Sequence, residues 1–126
     1  MRLMNLFPQA KRTGRILVLG ELLLDFIPTQ SGMRLCEPGT VVKTVSGSAG
    51  IFACAAAALG AQCGFVGRVG KDPFSRLAVQ TVAQAGVDTS LVVESEEGQI
   101  GLAFIEYLPE GRNYQYYRSQ SAGSRL

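Results

Sequence analysis

The chain has 126 residues, of which 47% are hydrophobic and 17% charged, with a formal net charge of +2. This length suits one domain of ordinary size, and the near balance of charge excludes the strong basic field used to bind nucleic acid or an anionic membrane. No apolar run is long enough to span a bilayer, so we expect neither nucleic acid nor a membrane as a partner. The basic stretch 1–14 lacks the apolar core of a secretory signal and is predicted to be a loose leader, with a transit peptide as the alternative.

The residue types that most often perform catalysis or bind metals are scarce in this sequence. It contains no histidine, which is the commonest general base and metal ligand. The cysteines Cys36, Cys54 and Cys63 have neither the spacing of a zinc site nor the even number of a disulfide framework. We therefore expect reduced cysteines in a cytoplasmic protein, predict no metal site, and look to carboxylates for any chemistry.

The first predicted element is the apolar run 15–28. Its hydrophobic residues are nearly continuous and are interrupted at three positions, one of which is Asp25. Such a run is typical of a strand that is buried on both faces in a parallel sheet. The mixed segment 29–45 follows, with short strands expected near 33–36 and 41–45.

The middle of the chain alternates between helix and strand signals. Small residues begin a helix predicted from about Ala49 to Leu59. Asp72, as N-cap, begins a second helix that ends before Gly86, and the apolar stripe of this helix leaves Ser75 on the polar side. Alternation of this kind is typical of an α/β fold. The strands expected beside the helices are 62–70 and 87–93.

Residues 99–119 have the pattern of a β-hairpin. Period-two alternation places Tyr114, Tyr116 and Arg118 on one face of its last strand. A guanidinium pairs with carboxylate or phosphate, and a phenol offers a flat apolar side and a hydroxyl, so this face suits a small polyhydroxylated or anionic ligand. The alternative is an exposed hairpin whose aromatic rings only pair across strands.

One apparent nucleotide-binding motif is incomplete. The segment 64–72 resembles a phosphate-binding loop, but Phe65 stands at the position of its first glycine. Asp72 also stands where the magnesium-binding Ser or Thr would be. No dinucleotide-binding glycine fingerprint follows the first predicted strand either, so we assign no nucleotide site to these glycines.

Three separate features can form one ligand site. They are Asp25 near the end of the first predicted strand, the small-residue loop 46–50 before a helix, and the face with Tyr116 and Arg118. Ligands of open α/β sheets bind where strand ends and helix N-termini meet on one edge. The hairpin would then close over a ligand bound there.

The order of these motifs resembles the N-terminal half of the ribokinase-like, or PfkB, carbohydrate kinases. The motifs are GELLLDFIP, an alanine-rich helix that ends in LG, GFVGRVGKDPF, AGVDTS, GLAF and YYR..SA, and they cover residues 15–126. The resemblance implies the N-terminal part of an open αβα sheet with a small β-sheet lid, whose strands lie at about 29–45 and 99–119. It also implies that ATP and Mg²⁺ serve the full-length enzyme and are bound mainly outside this chain.

The resemblance assigns sugar-binding roles to particular residues. Asp25 falls on the family aspartate that binds sugar hydroxyls, and Gly47 falls on the second glycine of the sugar-binding loop. Tyr116 and Arg118 match a Tyr-x-Arg motif of 2-keto-3-deoxygluconate kinases, in which the arginine meets the substrate carboxylate; fructokinases are the nearest alternative. The substrate-binding residues predicted in this way are Asp25, Gly47, Ser48, Ala103, Tyr116 and Arg118.

Two positions depart from the family pattern. Ser46 stands where the first glycine of the loop is usual, and Ile51 stands where the family commonly has an asparagine that contacts the sugar. Because isoleucine cannot form a hydrogen bond through its side chain, that polar contact is lost or comes from elsewhere.

The sequence contains no GAGD-type motif, which carries the catalytic base and the anion hole of the family. The resemblance therefore implies no catalytic residue in this chain, and we expect the chain alone to be inactive. We expect the substrate-binding half of an ATP-dependent kinase that phosphorylates a primary hydroxyl of a keto-sugar acid or of fructose, and a homodimer formed through the lid. The alternative is a non-catalytic sugar-binding or lid-dimerisation module derived from the same scaffold.

Overall fold

The computed structural model of the protein describes residues 14–126. The predicted leader at 1–14 therefore lies outside the described residues except for Gly14. The helices are α1 (Ser48–Ala58) and α2 (Pro73–Gln84), and a 3₁₀ turn covers Gly123–Arg125. The strands are β1 (Arg15–Leu19), β2 (Leu23–Pro28), β3 (Val41–Ser46), β4 (Gln62–Gly70), β5 (Asp88–Ser95), β6 (Gly101–Leu108) and β7 (Gly111–Tyr117).

The first sheet is parallel and three-stranded, in the order β1-β4-β5. Val18 pairs with Phe65 in the register of β1 and β4, and both are buried. Both α1 and α2 pack on this same side of the sheet, where Ala53 and Ala78 join Val18 and Phe65 in one core. The alternating burial on β4 follows because helices cover one face of the sheet.

The second sheet has four strands in the order β3-β2-β6-β7. β2 and β6 are parallel, and the two outer pairs are antiparallel. One face of this sheet packs on α2, because Phe26 stacks on Phe104 at 4.6 Å between ring centroids and meets the edge of Phe74 at 6.0 Å. Asp25 lies on the opposite face.

The prediction of one doubly buried strand over 15–28 was wrong. The run is divided into β1 and β2, which belong to different sheets, and within β1 only Val18 is buried. The division follows from a close approach at Gly20, where an added Cβ would lie 2.4 Å from the Cβ of Ala49. Asp25 is consequently in the middle of β2 in the second sheet and not at the end of the first strand.

The strand expected near 33–36 is absent, because these residues lie in the irregular connection between β2 and β3, with turns at 31–32 and 35–36. The helix predictions were confirmed, with α1 beginning one residue earlier than expected. Asp72 caps α2, and its carboxylate accepts from the Ser75 N–H at 2.9 Å. Ser75 was wrongly placed on the polar side: it is 1% exposed, since its hydroxyl donates to Asp72 and accepts from the Gly70 N–H.

Candidate functional site

Three of the predicted residues lie side by side on one face of the second sheet. Asp25 in β2 pairs with Ala103 in β6, and Ala103 pairs with Tyr116 in β7. Residues that pair directly across neighbouring strands point to the same side of a sheet, so these three form a row. The row has a carboxylate at one end, a phenol at the other, and a small buried side chain between them.

The Asp25 carboxylate is half-buried and accepts no hydrogen bond from any described residue. Every side-chain oxygen or nitrogen that is fully buried in the described part of the chain has a hydrogen-bond partner. Because the Asp25 carboxylate has none, its oxygens are not fully buried and remain accessible. A partly desolvated carboxylate gains free energy from hydrogen-bond donors. Sugar hydroxyl groups are donors of the required kind.

Gly47 forms the loop between β3 and α1. Its φ of 100° lies in the region that favours glycine, and an added Cβ would lie 2.4 Å from the carbonyl oxygen of Glu21. Because Ser46 pairs with Leu23, the loop lies beside the start of β2, the strand that carries Asp25 two residues further on. The exposed Ser48 is the first residue of α1, and no side chain caps this helix.

Arg118 follows β7 on the same face as the row. An added Cβ on Gly101 would lie 2.9 Å from the Arg118 Cβ, which places Arg118 opposite Gly101, two residues before Ala103 in β6. Its Nη2 donates to Glu21 Oε2 at 2.6 Å. The structure thus places Arg118 on the face of Tyr114 and Tyr116, as predicted, and pairs its guanidinium with the Glu21 carboxylate.

Glu21 is a functional candidate that the sequence analysis missed. Its side chain is 11% exposed, and its Oε1 accepts from the Ser121 hydroxyl at 2.6 Å. In the sequence Glu21 only interrupts an apolar run. The cost of burying a carboxylate there was the signal that could have identified it, as it did Asp25.

The predicted alternation along β7 was confirmed. The rings of Tyr114 and Tyr116 stack on the row's face, with centroids 5.8 Å apart and an interplanar angle of 6°. Tyr117 lies on the opposite face and meets the edge of Phe104 at 5.7 Å. The cross-strand aromatic contact of β7 therefore lies on the face opposite the row. On the row's own face, Tyr114 and Tyr116 are exposed.

Two clefts lie elsewhere on the described part of the chain. A cleft of about 360 Å³ lies among residues 29–40, and one of about 550 Å³ lies beside Arg118 and extends behind the sheet to Tyr117. Neither cleft includes Asp25 among its lining residues.

Residues 14–126 bring together no group of three or more His, Cys, Asp or Glu side chains able to hold a metal ion. Neither described helix has the length and apolar character needed to cross a membrane.

All three cysteines are free, and burial, with a smaller effect of Cys63, raises the pKa of the Cys54 thiol. Cys54 is therefore a poor nucleophile, because little thiolate forms near neutral pH.

Comparisons with known proteins agree with this architecture. Fructokinase-1 of Oryza sativa is 36% identical over 118 residues, which are 93% of this chain and 36% of the rice protein. The structure of a fructokinase with bound ATP from Xylella fastidiosa matches with a TM-score of 0.77 and 30% identity, over 86% of this chain and 32% of that one. The 2-dehydro-3-deoxygluconokinase of Thermotoga maritima matches with a TM-score of 0.81 over 89% of this chain and 34% of that one; at 23% identity this likeness shows the fold alone.

The chain spans about a third of the length of these relatives. The predicted fold class was confirmed, because the α/β arrangement with two sheets matches part of a ribokinase-like fold. The sequence also matches the family model described as "pfkB family carbohydrate kinase" over residues 13–124. The chain therefore belongs to the pfkB family of carbohydrate kinases.

Proposed function

We propose that this chain carries the sugar-binding part of an ATP-dependent kinase that phosphorylates a primary hydroxyl group. The row formed by Asp25, Ala103 and Tyr116 is the observation that supports this proposal, because it sets an accessible carboxylate and a phenol on one sheet face. The second sheet acts as the lid in this proposal; β3, β6 and β7 fall in or near the lid segments 29–45 and 99–119 expected from the sequence, and β2 joins them.

Each residue has a distinct role in this proposal. Asp25 accepts hydrogen bonds from sugar hydroxyls and so fixes the orientation of the sugar. The small Ala103 leaves room for the sugar ring, and Tyr116 offers its flat ring and hydroxyl. Gly47 and Ser48 bring the start of α1 close to the sugar, which only a glycine permits at position 47.

This chain positions the sugar, and we assign no catalytic residue to it. Phosphoryl transfer depends on positioning and on neutralising the charge of the transferring group, which Mg²⁺ and cationic groups supply when bound. The described residues do not fit a metal site, so we propose that ATP and Mg²⁺ are bound mainly outside this chain. The ATP in the Xylella fastidiosa relative supports ATP as the phosphoryl donor.

The substrate that we favour is a ketohexose such as fructose, because the rice relative at 36% identity and the Xylella fastidiosa relative at 30% identity are named fructokinases. A keto-sugar acid such as 2-keto-3-deoxygluconate is the second candidate, since Arg118 lies on the face of the row. In both cases the reacting group is a primary hydroxyl. The proposed cytoplasmic location stays a prediction.

We also propose that the lid forms a homodimer. β7 is an edge strand of the second sheet and is exposed along its whole length. Unpaired backbone groups on such an edge favour pairing with another strand. The same feature supports the second candidate function, a non-catalytic sugar-binding or lid-dimerisation module.

Calorimetric titration of the chain with fructose and with 2-keto-3-deoxygluconate tests the proposal. We expect one of these sugars to bind and Asp25→Ala to weaken its binding about ten- to a hundredfold, since hydrogen bonds to a charged group contribute about 1.5–3 kcal/mol. Gln115→Ala, on the opposite face of the same sheet, is the matched control and should leave binding unchanged. The proposal fails if neither sugar binds, or if the two variants behave alike.

Incubation with ATP, Mg²⁺ and the sugar that binds separates the two functions. We expect no sugar-dependent release of ADP from this chain alone, because phosphoryl transfer needs groups that we place outside it. Robust release would show that the chain itself contains the catalytic machinery.

A further inference from the structure

Glu21 lies in the short connection between β1 and β2, where the chain passes from one sheet to the other. Its carboxylate makes two short hydrogen bonds, each of 2.6 Å, with Arg118 Nη2 and with the Ser121 hydroxyl. The Glu21 side chain is 11% exposed, whereas that of Arg118 is 48% exposed. The cation on the candidate sugar face thus has a nearly buried counter-ion within the chain.

The position of this carboxylate is fixed by its surroundings as well as by Arg118. A Cβ added to Gly101 would lie 2.9 Å from Glu21 Oε1, and one added to Gly123 would lie 2.6 Å from Glu21 Cγ. Ser121 is buried, and its oxygen accepts from the Ser124 N–H at 3.1 Å, which leaves its hydroxyl proton for Glu21. Glu21 is therefore held in place even without the arginine.

We infer that Glu21 is a specificity-determining residue, which neutralises Arg118 and thereby favours a neutral ketose over a sugar acid. The inference depends on the proposed function, because it assumes that the sugar lies on the face that carries Arg118. An incoming carboxylate at this guanidinium meets the negative charge of Glu21 on the same group. A neutral sugar meets no such repulsion.

The guanidinium still has hydrogen-bonding capacity for a neutral ligand. Of the guanidinium nitrogens of Arg118, only Nη2 has a hydrogen-bond partner among the described residues. The remaining N–H groups can donate to the oxygen atoms of sugar hydroxyls. Glu21 thus orients Arg118 as a hydrogen-bond donor while cancelling its charge.

The isosteric variant Glu21→Gln tests the inference, because it removes the charge and keeps one oxygen as an acceptor for Arg118, while its amide N–H can donate to the Ser121 oxygen. Calorimetric titration at low salt compares fructose with 2-keto-3-deoxygluconate as the two probes. We expect affinity for the keto acid to rise about ten- to a hundredfold in this variant, and that for fructose to change less than about twofold. The double variant Glu21→Gln/Arg118→Gln should abolish the gain.

A merely structural role for Glu21 predicts loss and not gain, so equal or reduced affinity for the keto acid would overturn the inference. If the wild-type chain binds neither sugar, the proposed function itself fails, and the inference fails with it. If fructose binds but the preference is unchanged in Glu21→Gln, the inference alone fails.

Ser121→Ala provides a second test in case Glu21→Gln does not fold, as judged by circular dichroism. This variant removes one of the two hydrogen bonds that hold the carboxylate, so an acid ligand displaces Glu21 from Arg118 more easily. We expect a gain of about two- to tenfold in affinity for the keto acid, smaller than in Glu21→Gln, because the variant loosens Glu21 but leaves its charge in place. The absence of any gain would overturn the inference.

Discussion

Replacement of Asp72 by alanine should destabilise the fold strongly, because one carboxylate joins α2 to the segment that enters β6. Asp72 accepts from the Ser75 N–H at 2.9 Å, from the Ser75 hydroxyl at 2.6 Å and from the Ile100 N–H at 3.2 Å. Ser75 and Ile100 are 1% and 4% exposed, so water cannot easily replace the lost acceptor.

The expected loss is the sum of two effects. Removing an N-cap costs about 1 kcal/mol, and each buried donor left without a partner costs about 1–3 kcal/mol. The hydroxyl of Ser75 can rotate toward another acceptor, so we count one orphaned donor at Ile100. Asp72→Ala should therefore lower the free energy of unfolding by about 2–4 kcal/mol. Asp72→Asn should cost about 1–3 kcal/mol, because asparagine remains a good N-cap but leaves the Ile100 N–H without its acceptor.

Urea unfolding followed by circular dichroism at neutral pH measures both variants against the wild type. The loss in Asp72→Asn relative to the wild type measures the second acceptor oxygen, which serves Ile100, and the further loss in Asp72→Ala measures the N-cap. If Asp72→Ala lies within about 0.5 kcal/mol of the wild type, or if both variants lose the same amount, the assignment of these hydrogen bonds to stability is wrong.

Two further results are expected. Burial acts to raise the pKa of Asp72, but the hydrogen bonds from Ser75 and Ile100 outweigh it and lower the pKa below its ordinary value. The folded-state pKa thus lies below that of the unfolded chain, so Asp72 stabilises the fold above about pH 4, and this stability should be lost as the pH falls through the folded-state pKa. The loss of stability on acidification, measured by urea unfolding as a function of pH, should be smaller in Asp72→Asn than in the wild type. Gly47→Ala should lower the unfolding free energy by more than about 1 kcal/mol, because φ is positive there and the added Cβ meets Glu21 O; an unchanged urea midpoint would contradict this.

The elements that the sequence predicted well have signals within a few residues. Asp72 caps α2, Pro73 is its first residue, and Gly86 adopts a φ of 91° just beyond its end. Each of these acts on the backbone next to it, so no distant contact is needed. The alternation of Tyr114 and Tyr116 against Tyr117 was predictable for the same reason, since side chains alternate along any strand.

The row of site residues was only partly predictable. The sequence indicated that Asp25 and Tyr116 serve one ligand, but their alignment depends on the register of β2 with β6 and of β6 with β7. Register across strands is decided by which faces the whole sheet buries. A single strand does not contain this information.

The sequence by itself determined the α/β class, the limits of both helices to within a residue or two, and which side chains of β7 share a face. Only the tertiary structure decided that the run 15–28 divides between two sheets, because an apolar run satisfies a buried strand in either sheet until Gly20 packs on Ala49. It also decided that Arg118 meets Glu21 across 97 residues of sequence. Attraction between charges depends on their distance in space, and folding alone brings these two groups within hydrogen-bond reach.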